Sequence, residues 1–139
     1  METRKEGNLI AVRLRQGEDV ISSLEKAVGA EPAGLGVLLS GTGMMKDVRL
    51  GYFMGKGTYK DNNLSGPREI VSATGNFVNS GGELISHIHV SLADDDSRVT
   101  GGHLKEARVH GTGEFFIYMS GIKAERVMEE DTGLKGLRL

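Results

Sequence analysis

The sequence predicts an α+β fold in which one main helix accompanies a largely antiparallel sheet. Only one segment, "GEDVISSLEKAVGA" at 17–30, places its apolar residues at helical spacing. Much of the remaining chain alternates apolar and polar residues in short runs, as half-buried strands do. These runs follow the helix one after another, whereas strands of a parallel sheet alternate with helices. Single glycines interrupt several runs and indicate bulges or tight turns.

Length and composition restrict the classes of protein. With 139 residues and no break in composition, the chain is expected to form a single domain over 1–139. The absence of cysteine excludes disulfides and thiolate metal ligands, and it favours a cytoplasmic setting. No apolar run approaches the roughly 20 residues that span a membrane, and 1–20 lack the apolar core of a signal peptide. The net charge of −2 disfavours a protein that binds nucleic-acid phosphates over a wide surface.

The first elements are a strand over about 8–15 and the helix that follows it. Residues 8–15 alternate in the period-2 pattern of a strand. In the helix, Glu18 and Asp19 stand at the start and Gly29 at the end, as the helix dipole and C-cap preferences require. One face of this helix is apolar and is expected to pack on the sheet: Val20, Ile21, Leu24, Ala27 and Val28.

The rest of the chain is predicted to form strands and turns. "GLGVLLSGTGMMKDVRLGYF" indicates two strands interrupted by glycine, and "GTYKDNNLSGP" a hairpin or loop. The "SGTG" within the first segment lacks the further glycine of a dinucleotide-binding loop, so we interpret it as a bulge or turn. Four more strands are predicted in "REIVSATGNFV", "ELISHIHVSLAD", "RVTGGHLKEARV" and "EFFIYMSG". The final "AERVMEEDTGLKGLRL" has a helix-like start and is interpreted as an irregular strand.

Three of the four histidines lie in "HIHVSLADDDSRVTGGH", residues 87–103. His87 and His89 are two residues apart on a predicted strand, so their side chains share one face about 6.5–7 Å apart. The intervening apolar residues point to the opposite face, which is expected to be the core face: Ile88, Val90 and Leu92.

The position of His103 depends on the length of the hairpin loop. A two-residue loop at Asp95 and Asp96 would place His103 on the face opposite to the other two histidines. A three-residue loop that includes Ser97 would place it directly across from His89. The longer loop is favoured because it also aligns the apolar residues of both strands, and it requires Ser97 in the left-handed conformation at a cost of roughly 1 kcal/mol. A bulge at Gly101–Gly102 would change this parity, and the sequence leaves that open.

Three imidazoles on one face match the ligand set of a zinc ion with an open coordination position. The alternative is a solvated face on which the histidines form hydrogen bonds with acids. His110 is out of register with the cluster and is expected at the surface. The acids at 94–96 are expected to form a solvated loop tip, because calcium requires oxygen ligands that are spaced further apart.

The block "HIHVSLADDDSRVTGGHL" resembles the signature of the PPC (plant- and prokaryote-conserved) domain, which also occurs beside AT-hooks in plant nuclear proteins. "RLRQGEDVISSLEKAV", "LSGTGMMKDVRLGYF", "REIVSATGNF" and "DTGLKGLRL" are similar to the family's other blocks in the same order, so the resemblance covers about 8–139. It implies an antiparallel α+β fold, a homotrimer, and an architecture like that of acetolactate decarboxylase, a zinc enzyme with histidine ligands.

The resemblance also assigns individual residues. His87, His89 and His103 match the family's three histidines. Glu69 matches the acid before the family's "I-x-S-x-x-G" strand, which implies a residue that orients a ligand, faces a substrate or shuttles a proton. Family members usually have glycine where this chain has Ser97, a departure that adds a little strain to the loop and leaves the three histidines in place.

Two functional hypotheses from different classes follow. In the first, the three histidines bind a divalent metal, zinc, which a small-molecule ligand contacts and which supports enzymatic chemistry. In the second, the chain is a DNA-associated regulatory or protein-interaction module, as prokaryotic relatives are commonly labelled. The second has weaker support, because the chain lacks an AT-hook and its basic residues are scattered among acids.

Overall fold

The computed structural model describes residues 1–31 and 34–139. Within these ranges the chain forms one α-helix, α1, at Val20–Gly29 and nine strands. The strands are β1 Glu2–Glu6, β2 Leu9–Arg15, β3 Leu35–Gly55, β4 Thr58–Leu64, β5 Arg68–Ser80, β6 Glu83–Ala93, β7 Val99–Ser120, β8 Glu125–Glu129 and β9 Leu134–Arg138. The described helix is ten residues long, too short to cross a membrane.

Seven of the strands form one antiparallel sheet in the order β1-β2-β7-β6-β5-β3-β4. Strand β3 pairs with β7 as well as with β5, so β3, β5, β6 and β7 form a closed ring of hydrogen-bonded strands. Strands β8 and β9 form a separate two-stranded hairpin. The predicted fold class, a largely antiparallel sheet with one main helix, is therefore confirmed.

The core lies between α1 and one face of the sheet. Alternate residues of β2 are buried, Ile10, Val12 and Leu14, as the period-2 pattern predicts. The helix buries Val20, Leu24, Ala27 and Val28 against these strands. It begins after Asp19, whose carboxylate accepts a hydrogen bond from the backbone N–H of Ser22 at 2.9 Å, and thereby satisfies one of the free donors of the first turn.

In two places, two strands predicted one after the other along the chain form a single long strand. The segment 34–53 was expected to form two strands, but 35–53 lies within the single strand β3. Likewise "RVTGGHLKEARV" and "EFFIYMSG" are joined in β7. The glycines mark shifts in pairing along a continuous ladder: Gly43 pairs with Gly113, and the next residue, Met44, pairs with His110. Glycine is required at this crossing, because a Cβ on Gly43 would lie 2.1 Å from the carbonyl oxygen of Thr112.

The sheet edges and the C-terminal segment also differ from the prediction. The "GTYKDNNLSGP" segment does form a hairpin with β3, but Thr58–Leu64 is a strand. Residues Glu2–Glu6 form a further strand that the sequence did not reveal. Every residue of β1 and all but the last of β4 are exposed, so neither strand has a buried face that would produce alternation. The C-terminal segment forms the β8–β9 hairpin instead of one irregular strand with a helical start.

Candidate metal site

The loop between β6 and β7 has the three-residue length that the sequence predicts. The backbone N–H of Asp94 donates to the carbonyl of Arg98 at 3.1 Å, and Ser97 has a positive φ of 62°. The Asp94 carboxylate accepts hydrogen bonds from the backbone N–H groups of Asp96 at 3.1 Å and Arg98 at 2.9 Å. These bonds hold the pKa of Asp94 below its usual value, with the bond from Arg98 as the largest cause. The acids therefore form a loop tip, as expected.

The loop places His103 beside His89. Val99 pairs with Ala93, and the ladder continues without a shift until His103 pairs with His89. Gly101 and Gly102 stay in this register, opposite Ser91 and Val90, so they form no bulge. The predicted pairing is confirmed, and with it the location of all three histidines on one face.

The three imidazoles converge on the face of the sheet opposite the core. One ring nitrogen from each of His87, His89 and His103 lies within 4.8 Å of the others, and the Nε2 atoms of His87 and His89 are 3.2 Å apart. The ring centroids are 5.1–5.5 Å apart. On the other face Ile88, Val90 and Leu92 are buried, as predicted.

The spacing of these nitrogens suits a tetrahedral metal ion. Ligand nitrogens at about 2.1 Å from a tetrahedral ion lie about 3.4 Å apart. The His87–His89 distance of 3.2 Å is already close to this value. The widest separation, up to 4.8 Å, requires only a small side-chain rotation. The three residues therefore fit a metal ion without movement of the backbone.

The environment keeps two of the histidines neutral. Burial lowers the pKa of His103 to about 4, with smaller contributions from the charges of His87, His89 and Lys105. Burial, followed by the charges of His89 and Arg126, also lowers the pKa of His87. Neutral imidazole is the form that binds metal ions. The Nδ1 atom of His103 is buried, and no group in the described ranges forms a hydrogen bond with it.

A cleft of about 510 Å³ lies over His87 and His103. Tyr59 of β4 stacks near His103, with ring centroids 5.6 Å apart. The β8–β9 hairpin also lines the cleft and contributes Arg126. The hairpin is held in place at its turn, where the backbone N–H of Gly57 donates to the carbonyl of Thr132 at 2.9 Å. The sequence did not single out Tyr59 or Arg126, because contacts between segments so far apart along the chain leave no local pattern.

The structure does not bring Glu69 to the histidines. Glu69 pairs with Ala93, four residues along β6 from His89, which corresponds to roughly 13 Å along the strand. It lines a different cleft, of about 860 Å³, beside the acidic loop and His110. Within one chain Glu69 is therefore too far away to contact a metal ligand. His110, expected at the surface, is half-buried and lies outside the cluster.

Comparison with known proteins identifies the family. A family model described as the Plants and Prokaryotes Conserved (PCC) domain matches residues 1–120. The chain belongs to this family. The match confirms the resemblance of the histidine block and its neighbouring segments. No curated protein sequence is significantly similar to this PCC domain.

Solved structures share the complete fold. A plant- and prokaryote-conserved (PPC) protein of Pyrococcus horikoshii is 31% identical over 96% of this chain and 94% of its own, with a TM-score of 0.81. A metal-containing protein of Archaeoglobus fulgidus is 30% identical over 100% of this chain and 99% of its own, with a TM-score of 0.84. A candidate DNA-binding protein of Bacteroides thetaiotaomicron is 24% identical over 99% of this chain and 96% of its own, with a TM-score of 0.91. At 24% identity, the similarity to the Bacteroides protein shows a shared fold alone.

Proposed function

We propose that this PCC domain binds one divalent metal ion, zinc, through His87, His89 and His103. The observation that carries the proposal is the convergence of three ring nitrogens within 4.8 Å, from two paired strands. Imidazole is a preferred ligand of zinc, whereas calcium and magnesium prefer oxygen. The Archaeoglobus relative, described as metal-containing, gives independent support.

The proposed chemistry is that of a metal site with room for a ligand. An ion with three histidine ligands keeps an open coordination position, through which it polarises a carbonyl or activates water. In this chain the cleft beside His87 and His103 would hold the small molecule and limit its contact with bulk water. An architecture like that of acetolactate decarboxylase is part of this proposal. The assignment of Glu69 as a ligand-orienting or proton-shuttling residue rests on the resemblance alone.

We also propose that the domain assembles as a homotrimer. Three large apolar side chains are exposed on the outward face of the paired strands β2 and β7: Leu9 at 39%, Phe116 at 42% and Tyr118 at 44%. Leu9 and Tyr118 are direct cross-strand partners, so the three form one neighbouring set. Burial of such a patch in a subunit contact would remove it from water.

The alternative function, a DNA-associated module, has one external support. The Bacteroides relative is described as a candidate DNA-binding protein, but its 24% identity carries only the fold. The acids in this chain outnumber its lysines and arginines, 19 to 17, which leaves little net attraction for phosphates.

Zinc titration of purified protein tests the metal proposal. After removal of metal with a chelator and reloading at pH 7.5, the wild type should bind about one zinc per chain. His87→Ala, His89→Ala and His103→Ala should each weaken zinc binding sharply while the fold is kept, because the three side chains lie away from the core. His110→Ala is the matched control, since it removes a histidine outside the cluster and should bind like the wild type. Wild type without stoichiometric zinc, or three variants that bind as well as wild type, would refute the proposal.

A further inference from the structure

Arg126 lies in the wall of the histidine cleft and has neutral hydrogen-bond partners. Its Nη1 donates to the backbone carbonyl of Lys135 at 3.2 Å, and its Nη2 donates to the side-chain oxygen of Asn76. Its Nε is buried, with no hydrogen-bond partner in the part of the chain that the structure describes. Burial lowers the pKa of Arg126, but the guanidinium remains charged at neutral pH. Within the described residues, therefore, no carboxylate is paired with the positive charge that Arg126 holds at the cleft.

The position of this charge is fixed by two contacts of β8. The backbone N–H of Arg126 donates to the Ser80 hydroxyl at 3.2 Å, which ties β8 to the end of β5. Asn76, which accepts a hydrogen bond from the guanidinium, pairs with His87 between β5 and β6. The charge of Arg126 consequently reaches His87, one of the three candidate ligands. A flexible surface arginine would not be held by several hydrogen bonds in this way.

A fixed cation beside a metal site opposes the binding of a metal ion, because the two positive charges repel each other. Glu129 lines the same cleft but, among the described residues, is not ion-paired with Arg126; its carboxylate accepts a hydrogen bond from the Thr132 hydroxyl at 3.2 Å. An anion between the ion and the guanidinium would turn this repulsion into attraction on both sides. Guanidinium groups bind carboxylates through paired hydrogen bonds.

The remaining lining of the cleft favours an anion with an organic body. Ile85, Leu134 and Leu137 contribute apolar surface beside His87 and Arg126, and Tyr59 also lines the cleft. The cleft volume of about 510 Å³ suits a small molecule. Inorganic phosphate would satisfy the charges but would leave these apolar surfaces in contact with water.

We propose that the cleft binds a small organic carboxylate, with its carboxylate between the histidine cluster and the Arg126 guanidinium and its apolar part against Leu134 and Tyr59. This inference rests on the proposed metal site and specifies its ligand class. Arg126 is the residue that selects for the negative charge of the ligand. Asn76 and the carbonyl of Lys135 orient the Arg126 guanidinium.

Cobalt(II) provides a test, because its visible absorption responds to a change of ligand at the ion. Wild type loaded with cobalt in buffer free of carboxylate and phosphate is titrated with propionate and, separately, with inorganic phosphate. We expect a saturable spectral change with propionate and a weaker response to phosphate. Arg126→Gln should weaken propionate binding about tenfold or more, because hydrogen bonds to charged groups are worth about 1.5–3 kcal/mol. Arg126→Lys keeps the charge without the planar guanidinium. Its affinity for propionate should lie between those of wild type and Arg126→Gln.

Arg138→Gln is the matched control. Arg138 is an exposed arginine of β9 that is paired with Glu125, and it does not line the cleft. Its variant should bind propionate like the wild type. A second signature separates the proposed role from a structural one: in anion-free buffer Arg126→Gln should bind cobalt as tightly as wild type or more tightly, since the repulsion is removed.

The outcomes separate the two proposals. Cobalt binding with no spectral response to propionate, or equal propionate affinity in wild type and Arg126→Gln, would overturn the carboxylate inference and leave the metal site intact. Tighter binding of phosphate than of propionate would overturn the organic part of the assignment. Failure of wild type to bind cobalt or zinc would refute the proposed function, and this inference with it.

Discussion

At the scale of single residues, burial lowers the pKa of two of the three clustered histidines. His103 is held neutral by its surroundings, with a pKa of about 4, while the same side chain in an unfolded chain has a pKa of about 6.5. His87 is shifted in the same direction. Both side chains are therefore unprotonated at neutral pH, and protons would compete with a bound metal ion at these two histidines only at acidic pH.

The lowered pKa of His103 predicts how stability depends on pH in the metal-free protein. Between pH 6.5 and 4 the unfolded chain takes up a proton that the folded chain does not, so the free energy of unfolding falls as the pH is lowered through this window. His103→Gln should show a shallower fall. Urea unfolding midpoints measured from pH 7 to pH 4.5, with His110→Gln as control, check this expectation. Equal pH dependence in wild type and His103→Gln would contradict it.

The location of the three clustered histidines was predictable at this scale, but the cleft was not. The spacing of His87 and His89 on a strand determines their shared face, and the acidic loop determines the register of His103. Arg126 and Tyr59 reach the cleft through long-range packing of β8 and β4, which no local pattern encodes. Glu69 was assigned from the resemblance, and the fold places it in another cleft.

At the scale of elements, glycine makes the long crossing of β3 and β7 feasible. Gly43 has φ 108°, and a Cβ there would meet the Thr112 carbonyl oxygen at 2.1 Å. In the sequence these glycines interrupt the alternation of apolar and polar residues, and such an interruption predicts the end of a strand. The actual ladder continues past them, because neighbouring strands and not local alternation determine where a strand ends.

Substitution of Gly43 should therefore be severely destabilising. Gly43→Ala combines a strained backbone with a steric clash against backbone atoms, and we expect the free energy of unfolding to fall by about 3 kcal/mol or more. Gly121→Ala is the control, because Gly121 has no atom within 4 Å of an added Cβ and no positive φ. Chemical denaturation compares the two variants. A Gly43→Ala variant as stable as Gly121→Ala would contradict the role assigned to this crossing.

At the scale of the whole molecule, the exposed apolar set on β2 and β7 predicts self-association. Light scattering at micromolar concentration should give about three times the 14.9 kDa mass of one chain. Phe116→Glu should lower this mass, because it places a charge in the apolar contact. Met128→Glu, at another exposed apolar position, serves as control. A wild-type mass equal to one chain would contradict the trimer.

The charge of the whole chain predicts weak DNA binding. With a net charge of −2 and no AT-hook, the protein offers few phosphate contacts, and its affinity should be low and should fall further as salt is raised. Gel shifts at about 50 and 150 mM salt check this. Sequence-specific binding in the nanomolar range at the higher salt would instead support the DNA-associated function.

Anomalous diffraction tests whether the three imidazoles meet around one metal ion. Crystals of zinc-loaded protein would be measured above and below the zinc absorption edge. We expect one anomalous peak per chain, about 2.1 Å from a ring nitrogen of each of His87, His89 and His103. An anomalous peak located only elsewhere, such as among the acids Asp94–Asp96, or no peak from crystals grown with excess zinc at pH 7.5, would contradict it.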